Sequence, residues 1–528
     1  MTTNSTNTAV LTPMRQDIPQ TAEVATTEKH TYGQILKSSA VIGGSQVVNL
    51  AIRIVRTKAM AVLLGPAGVG LMGMYESITN LAQTIAGLGI NSSGVRQIAE
   101  AVGAGETDRI ARTVVVLRRT AILLGILGAL LLVVFSRQMS VLTFGNGQHT
   151  AGVALLSLAV FFGLVSGGQG ALIQGMRRIS DLAKVGMLGA LFGTIISVPM
   201  VYILREEGVV PALVGVAAMS IITSWWYSRK VQIQPSSITV SQVRQEAAGL
   251  LKLGFVFMAS GFLTMGANYI VRIIVLRRVG FEAVGLYQSA WGLGGLYMGF
   301  ILHAMSVDFF PRLTAIARDN THCNRLVNEQ TQISLLLAGP GVIATLTFAT
   351  TVLSLFYSAK FNAAGGLLRW ICLGMAIRAI TWPMSSIIAA KGEQTLFFLA
   401  DLAWTLVNIG LSWICIRSFG LNGAGIAFFG AYAFQALMIY QIVRGVSGFC
   451  WSTANIQTGL LFLSLIGAVF CGFYLFPFWL ATAVGTLAVL VSGVYSIRVL
   501  LNLISPDRIP RPLQRLLMRF GFAHSGSR

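Results

Sequence analysis

Fourteen apolar runs, each about 20 residues or longer, mark this chain at 38–63, 67–90, 114–136, 151–175, 182–204, 208–227, 252–276, 283–305, 331–357, 364–389, 394–416, 421–443, 456–476 and 479–503. An α-helix rises about 1.5 Å per residue, so a run of that length crosses a hydrocarbon core about 30 Å thick. Only 11% of the 528 residues are charged, against about a quarter in soluble domains. A soluble fold of this composition would have no polar coat. The runs therefore predict an all-α polytopic membrane protein with about fourteen transmembrane helices.

Charge then predicts orientation. Lys and Arg total 38 against 18 Asp and Glu, a formal net charge of +20. The positives concentrate on the N-terminal side, in the connections 91–119, 176–184, 228–252 and 309–330, and in the C-terminal tail. The intervening connections are short and carry few, such as Arg137, Arg205 and Lys360. Alternation of this kind is the positive-inside pattern, which places both termini in the cytoplasm. It accounts for the charge without a nucleic-acid partner. Residues 1–30 are rich in Thr, Asn and Ser with only a short apolar stretch, which reads as a disordered cytoplasmic tail and not as a signal peptide. In 505–528, Leu513, Leu516, Leu517 and Phe520 fall at helical spacing with Arg511, Arg515 and Arg519 on another face. That pattern fits either a basic amphipathic helix on the cytoplasmic leaflet or a disordered basic tail.

A weak internal repeat divides the chain. Ser45-x-x-x-Asn49-x-x-x-Arg53 in the first run echoes Thr264-x-x-x-Asn268-x-x-x-Arg272 in the seventh. Gly65-Pro66-Ala67-Gly68-Val69-Gly70-Leu71 echoes Gly280-Phe281-Glu282-Ala283-Val284-Gly285-Leu286, and Gly208 to Ala212 echoes Gly420 to Ala424. The offsets all fall at 212–219 residues. Six runs separate the copies, an even number, so both enter the membrane from the same side. The repeat is parallel, with its axis along the membrane normal. The expected organisation is a tail (1–30), a six-helix lobe (31–229), a cytoplasmic linker (230–250), a second six-helix lobe (251–445), two extra helices (446–504) and a basic tail (505–528). Repeats of this sort commonly enclose a substrate site between their halves.

A charged residue at bilayer depth costs about 2.5–3.5 kcal/mol on insertion scales, so each requires a partner or a cavity. Residues at i, i+4 and i+8 share one helix face. The two stripes therefore predict matched polar faces across a central cavity, with Asn49 and Asn268 offering amides and Arg53, Arg56 and Arg272 offering positive charge. The alternative for the arginines is snorkelling to the headgroups, which suits Arg277 and Arg278 best. Arg378 lies near mid-bilayer in the tenth run, and Asp401 about 10 Å into the next helix. They read either as a structural ion pair or as a substrate-binding cation and a titrating acid. Glu76 reads either as an ion-pair partner for Arg53 or Arg56 or as a proton-coupling carboxylate. The five histidines and five cysteines include no metal or redox spacing, and there is no P-loop, dinucleotide fingerprint or catalytic triad. No cofactor, metal or covalent catalysis is expected.

The segments MAVLLGPAGVGLMGMYESITNLAQTIAGLGI (60–90), EAVGLYQSAWGLGGLYMGFILHAMSVDFFPRLTAIARD (282–319) and LFYSAKFNAAGGLLRWICLGMAIRAITWPMSSIIAAKGEQTL (355–396) resemble Wzx-type polysaccharide translocases, the lipid III flippase and O-antigen translocase branch of the multidrug/oligosaccharidyl-lipid/polysaccharide exporter superfamily. The resemblance spans about residues 35–445. It implies two six-helix lobes working by alternating access, and a bacterial inner-membrane location. It also implies an undecaprenyl-diphosphate-linked glycan as substrate, with a polysaccharide polymerase and a chain-length regulator as partners. The long polar N-terminal segment and the two helices beyond twelve depart from that branch. Cationic-drug export would need a more acidic cavity, and a glycan polymerase or ligase would need a large loop outside the membrane. A structural scaffold would leave the matched stripes without a purpose.

Overall fold

A computed structural model describes residues 21–231 and 240–503; side chains are described from 47 to 231 and 246 to 502, except 256, 257, 260, 303, 304, 307 and 308. Residues 1–20, the basic tail at 505–528 and the Ser45 side chain lie outside the described residues. Within them every regular element is helical: α1 (Thr21–Gly87), α2 (Ile90–Ala104), α3 (Thr107–Val134), α4 (Ser136–Phe144), α5 (Thr150–Gly175), α6 (Ile179–Leu204), α7 (Val209–Ser228), α8 (Val240–Val279), α9 (Phe281–Ala315), α10 (Asn320–Thr347), α11 (Ala349–Phe356), α12 (Gly365–Ala390), α13 (Gln394–Phe419), α14 (Asn422–Ser447), α15 (Thr453–Leu475) and α16 (Phe478–Leu503). Each of the fourteen apolar runs falls on these helices. The backbone is already helical from Thr21, inside the stretch read as a tail, and from Val240, inside the stretch read as a linker.

Eight helical stretches are long and apolar enough to cross a membrane among the described residues, and nine if α10 and α11, bent by 82°, count as one. One of the eight, Ile179–Ser228, is itself α6 and α7 joined by a short 3-10 turn. The outer faces stay apolar, with Leu123, Ile203, Leu437 and Leu490 exposed. That pattern suits lipid as the surrounding solvent.

The repeat is visible in the packing. In the first half α3 packs on α5, α5 on α7, α6 on α7, and α1 on α6. In the second half α10 packs on α12, α12 on α14, α13 on α14, and α8 on α13, in the same order. The last pair, α15 and α16, packs on α10, and the Arg369 guanidinium of α12 lies 3.9 Å over the Phe473 ring of α15.

Both halves turn at the same glycine. α1 is two helices joined at Gly65 (φ 67°, ψ −173°), with Pro66 opening the second. Gly280 (φ 111°, ψ 178°) plays that part between α8 and α9. This backbone region belongs almost wholly to glycine, and Pro66 costs nothing at a first helical position because its missing N–H would be unpaired there anyway. Five residues on, the copies meet. A Cβ at Gly70 would strike the Phe281 carbonyl and the Gly285 nitrogen, and one at Gly285 would strike Pro66 and Gly70. At the opposite end Gly89 and Gly254 touch in the same way. The two halves of the chain thus touch near both ends of the second half of α1, with space between.

Candidate functional site: a cationic cavity and its closures

That space is a cavity of 820 Å³. Arg53, Arg56 and Thr57 from the first half of α1 line it, with Glu76, Asn80 and Gln83 from the second half. The spacing of Arg53, Thr57 and Met60 keeps them on one helix face. Small residues of the opposite helices, Gly163 and Gly167 on α5 and Gly186 and Gly189 on α6, keep the far wall thin. Gln83 crosses to α5 and donates to the Ala159 carbonyl at 3.1 Å.

The cavity is asymmetric. Most of its wall belongs to the first lobe, and the second contributes Gln288 of α9 and Tyr357, which follows α11. Arg53 is open and Arg56 half-buried, with the Arg56 Nε buried and without a hydrogen-bond partner. Glu76 acts on Arg56 electrostatically, yet among the described residues it forms no ion pair within 4 Å. Its Oε2 accepts from Gln288 Nε2 at 3.4 Å, across the lobe boundary. The ion pair read for Glu76 is therefore absent, because Gln288 holds the carboxylate instead. Gln288 was not singled out from sequence. Its signal lay in the repeat: the offset of 215 residues that relates Gly65 to Gly280 relates Gly73 to Gln288, and the missing side chain at Gly73 makes room for the Gln288 amide.

Arg272 does not face Arg53 across this cavity as the matched stripes suggested. It donates to the Gly73 carbonyl at 3.1 Å and to the Ser77 hydroxyl, tying α8 to the second half of α1. Its Nε is buried without a partner. Asn49 lies against α6 at Gly186, and Asn268 sits half-buried one turn before Arg272 on α8. Neither amide lines the cavity. Arg378 on α12 and Asp401 on α13 are both half-buried and form no ion pair within 4 Å of each other among the described residues. Both act electrostatically on the buried Tyr432 of α14, whose ring lies 5.5 Å from Trp404. They form a separate polar locus inside the second lobe.

Two further cations close the Gly65/Gly280 end. Lys58 Nζ donates to the Ser354 carbonyl at 2.7 Å and the Leu355 carbonyl at 2.9 Å, in the last turn of α11. Arg277 donates to the Val141 carbonyl at 3.1 Å and to the Leu142 carbonyl, in the last turn of α4. Each cation comes from one lobe and each carbonyl pair from the other. The offset of 219 residues relating Asn49 to Asn268 also relates Lys58 to Arg277, and an offset of 213 relates Val141 and Leu142 to Ser354 and Leu355. They are one contact made twice about the repeat axis. The last carbonyls of a helix lack intrahelical donors and carry partial negative charge, which suits a cation. Arg277 is thus engaged in protein, whereas its neighbour Arg278 lies 4.6 Å over the Trp413 ring.

The fold and sequence have relatives. A lipid III flippase of Escherichia coli (strain K12) is 24% identical over 408 residues, 75% of this chain and 95% of that protein. A putative O-antigen transporter of Shigella flexneri is 23% identical over 389 residues, 71% of this chain and 90% of that one. Among solved structures, the lipid II flippase MurJ in an inward closed conformation superposes with a TM-score of 0.64 at 14% identity, covering 88% of this chain and all of that one; at such identity the likeness is one of fold. Residues 59–365, which include the cavity's Glu76, Asn80, Gln83 and Gln288 but not Arg53 or Arg56, match the model of a family described as polysaccharide biosynthesis protein. With more than half of its length inside that match, the chain belongs to the polysaccharide biosynthesis protein family.

Proposed function

We propose that this protein is a flippase that carries an undecaprenyl-diphosphate-linked oligosaccharide from the cytoplasmic to the periplasmic leaflet of the bacterial inner membrane by alternating access. The observation that carries this reading is the 820 Å³ cavity between the lobes, in which Arg53 and Arg56 have no carboxylate within ion-pair distance among the described residues. A lipid diphosphate supplies the missing negative charge. Arg suits it because a planar guanidinium binds phosphate oxygens bidentately. Thr57, Asn80, Gln83 and Gln288 offer hydrogen-bond partners to sugars on the same walls. The names of the Escherichia coli and Shigella flexneri relatives favour the same class of cargo. Among the described residues Glu76 is the only acid lining the cavity, which disfavours export of cationic drugs.

In this reading both termini are cytoplasmic, and the Lys58 and Arg277 contacts close the periplasmic end. Glu76 and Asp401 are candidate coupling acids, and Asn49, Asn268, Arg272 and Arg378 engage substrate at other stages of the cycle. The product leaves at the outer leaflet, where a polymerase and a chain-length regulator would receive it. Substrate shifts the balance between two closures of the lobes, and no covalent bond changes.

The test is complementation of a strain lacking its own flippase, read as surface glycan. Arg53→Ala and Arg56→Ala should each abolish surface glycan at unchanged membrane levels. Normal glycan in both variants would show that the cationic wall does not hold the cargo.

A further inference from the structure

A second cavity, of 210 Å³, opens on the outer face of the first lobe, between α3, α5 and α7. It is independent of the first: α5 lends Gly163, Ser166 and Gly167 to the large cavity and Val165, Gly168 and Gln169 to this one, from opposite sides of the helix. Arg118 and Arg229 line it, and among the described residues no carboxylate does. Arg118 is steered inward by a 3.4 Å bond from its Nη2 to the Ser228 carbonyl at the end of α7. The Arg229 guanidinium lies 4.4 Å over the Trp225 ring, which fixes it at the rim. Gln169, 8% exposed, accepts from Ser224 Oγ at 2.5 Å and keeps its amide donors for the cavity. The nearest acid on the following helix, Asp181, is taken by Arg178 at 2.6 Å. Around the mouth Ile122, Ile222 and Trp226 are exposed.

We infer that this cavity binds the phosphodiester headgroup of an anionic phospholipid, of the phosphatidylglycerol class, with the acyl chains lying along the exposed apolar rim. Two guanidiniums and an amide converge on a space without any countercharge, and the cavity opens onto a surface whose only suitable solvent is lipid. The site sits where helix ends meet the interface, the depth of a headgroup, and basic pockets between transmembrane helices recognise lipid phosphates by this chemistry. The indole of Trp225 at the rim suits the same depth. Free phosphate shares the anionic chemistry but gains nothing from the apolar rim.

Native mass spectrometry of the purified full-length protein, titrated with phosphatidylglycerol or phosphatidylcholine, tests this. Phosphatidylglycerol should be retained over phosphatidylcholine, and millimolar inorganic phosphate should not displace it. Arg229→Gln, at an exposed position where folding is not at risk, should weaken retention about fivefold, and Arg118→Gln with Arg229→Gln by more than tenfold. Arg119→Gln removes an exposed neighbouring charge that does not line the cavity and should leave retention unchanged. Equal retention of both lipids, displacement by phosphate alone, or an equal loss in Arg119→Gln would overturn the assignment. None of these results bears on transport through the large cavity.

Discussion

In the proposed alternating-access cycle, the paired contacts of Lys58 and Arg277 must break for the lobes to part at this end. Each is a hydrogen-bonded cation on helix-terminal carbonyls, and bonds to charged groups contribute about 1.5–3 kcal/mol each. Most of these bonds lie at the exposed end of the bundle, so solvent reduces each cation's share to about 1–1.5 kcal/mol. Removing both should cost the closed arrangement about 2–3 kcal/mol, which multiplies the open-to-closed ratio at this end by about 30–150. Lys58→Met with Arg277→Met preserves much of the aliphatic bulk and deletes the donors. Spin labels at Gln148 and Ala363, both exposed and on opposite lobes beside α4 and α11, report the opening by double electron–electron resonance. The exposed Cys450 and Cys471 and the half-exposed Cys415 are replaced first, while the buried Cys323 and Cys372 stay. The double variant should gain a longer-distance population, each single variant a smaller one, and Lys58→Arg should keep the parent distribution. An unchanged distribution in the double variant would show that these contacts do not hold the lobes together.

Gly70→Ala should mimic that opening, since its Cβ would overlap the Phe281 carbonyl and the Gly285 amide; the same spin-label pair checks it. Arg272→Ala should abolish glycan export at normal membrane levels and loosen the tie to Gly73 and Ser77, read as faster hydrogen exchange in the second half of α1. Glu76→Gln or Asp401→Asn should alter the pH profile of transport in vesicles, and an identical profile in both removes them as coupling acids. Asp319 caps α10, accepting from the Thr321 and His322 amides at 2.9 and 3.0 Å. Its backbone bond from His322, then its contact with the His322 ring, hold its carboxyl below the usual range. The cap is therefore complete above the ordinary carboxylate pKa and is lost as pH falls through the lowered value, so exchange at the first turn of α10 should quicken only in acid.

The sequence made the helices legible because the requirement is one-dimensional: about 20 apolar residues fill the bilayer whatever their neighbours are. It made the repeat legible for the same reason, since Gly65 and Gly280 answer to a backbone conformation that only glycine adopts readily. Side-chain partners were less legible. The stripe of Asn268 and Arg272 is chemically the same as that of Asn49 and Arg53, and periodicity gives a face without saying what faces it. Gly73 and Ser77 decided the matter for Arg272 by placing a carbonyl and a hydroxyl within its reach, and Gln288 decided it for Glu76. Arg277 looked like a snorkelling residue because α4 and α11 were hidden inside the runs and their neighbouring loops. Once those helices break off from α3 and α10, their last carbonyls become partners no spacing rule contains, Val141 O accepting from Arg277 as well as from the Gly145 amide.

Symmetry and its loss divide the molecule by task. Where the two copies still agree, at Gly70 with Gly285 and at Lys58 with Arg277, the residues lie on the boundary between lobes, and each half makes the contact the other makes. A motion about the repeat axis breaks both members of a pair together, so a mutation in one copy should propagate to the other through the lost closure. Where the copies differ, as Gly73 differs from Gln288, the residues shape the cavity. Its guanidiniums come from one lobe, and the second supplies an amide and a phenol. A polar headgroup held by one lobe can travel with it while the other swings away, and it need not be released when the closure at either end breaks. Moving the charge to the other lobe, by Arg56→Gln combined with Gln288→Arg, should therefore keep a cationic cavity yet fail to restore export; restored surface glycan would show that only the total charge of the cavity matters.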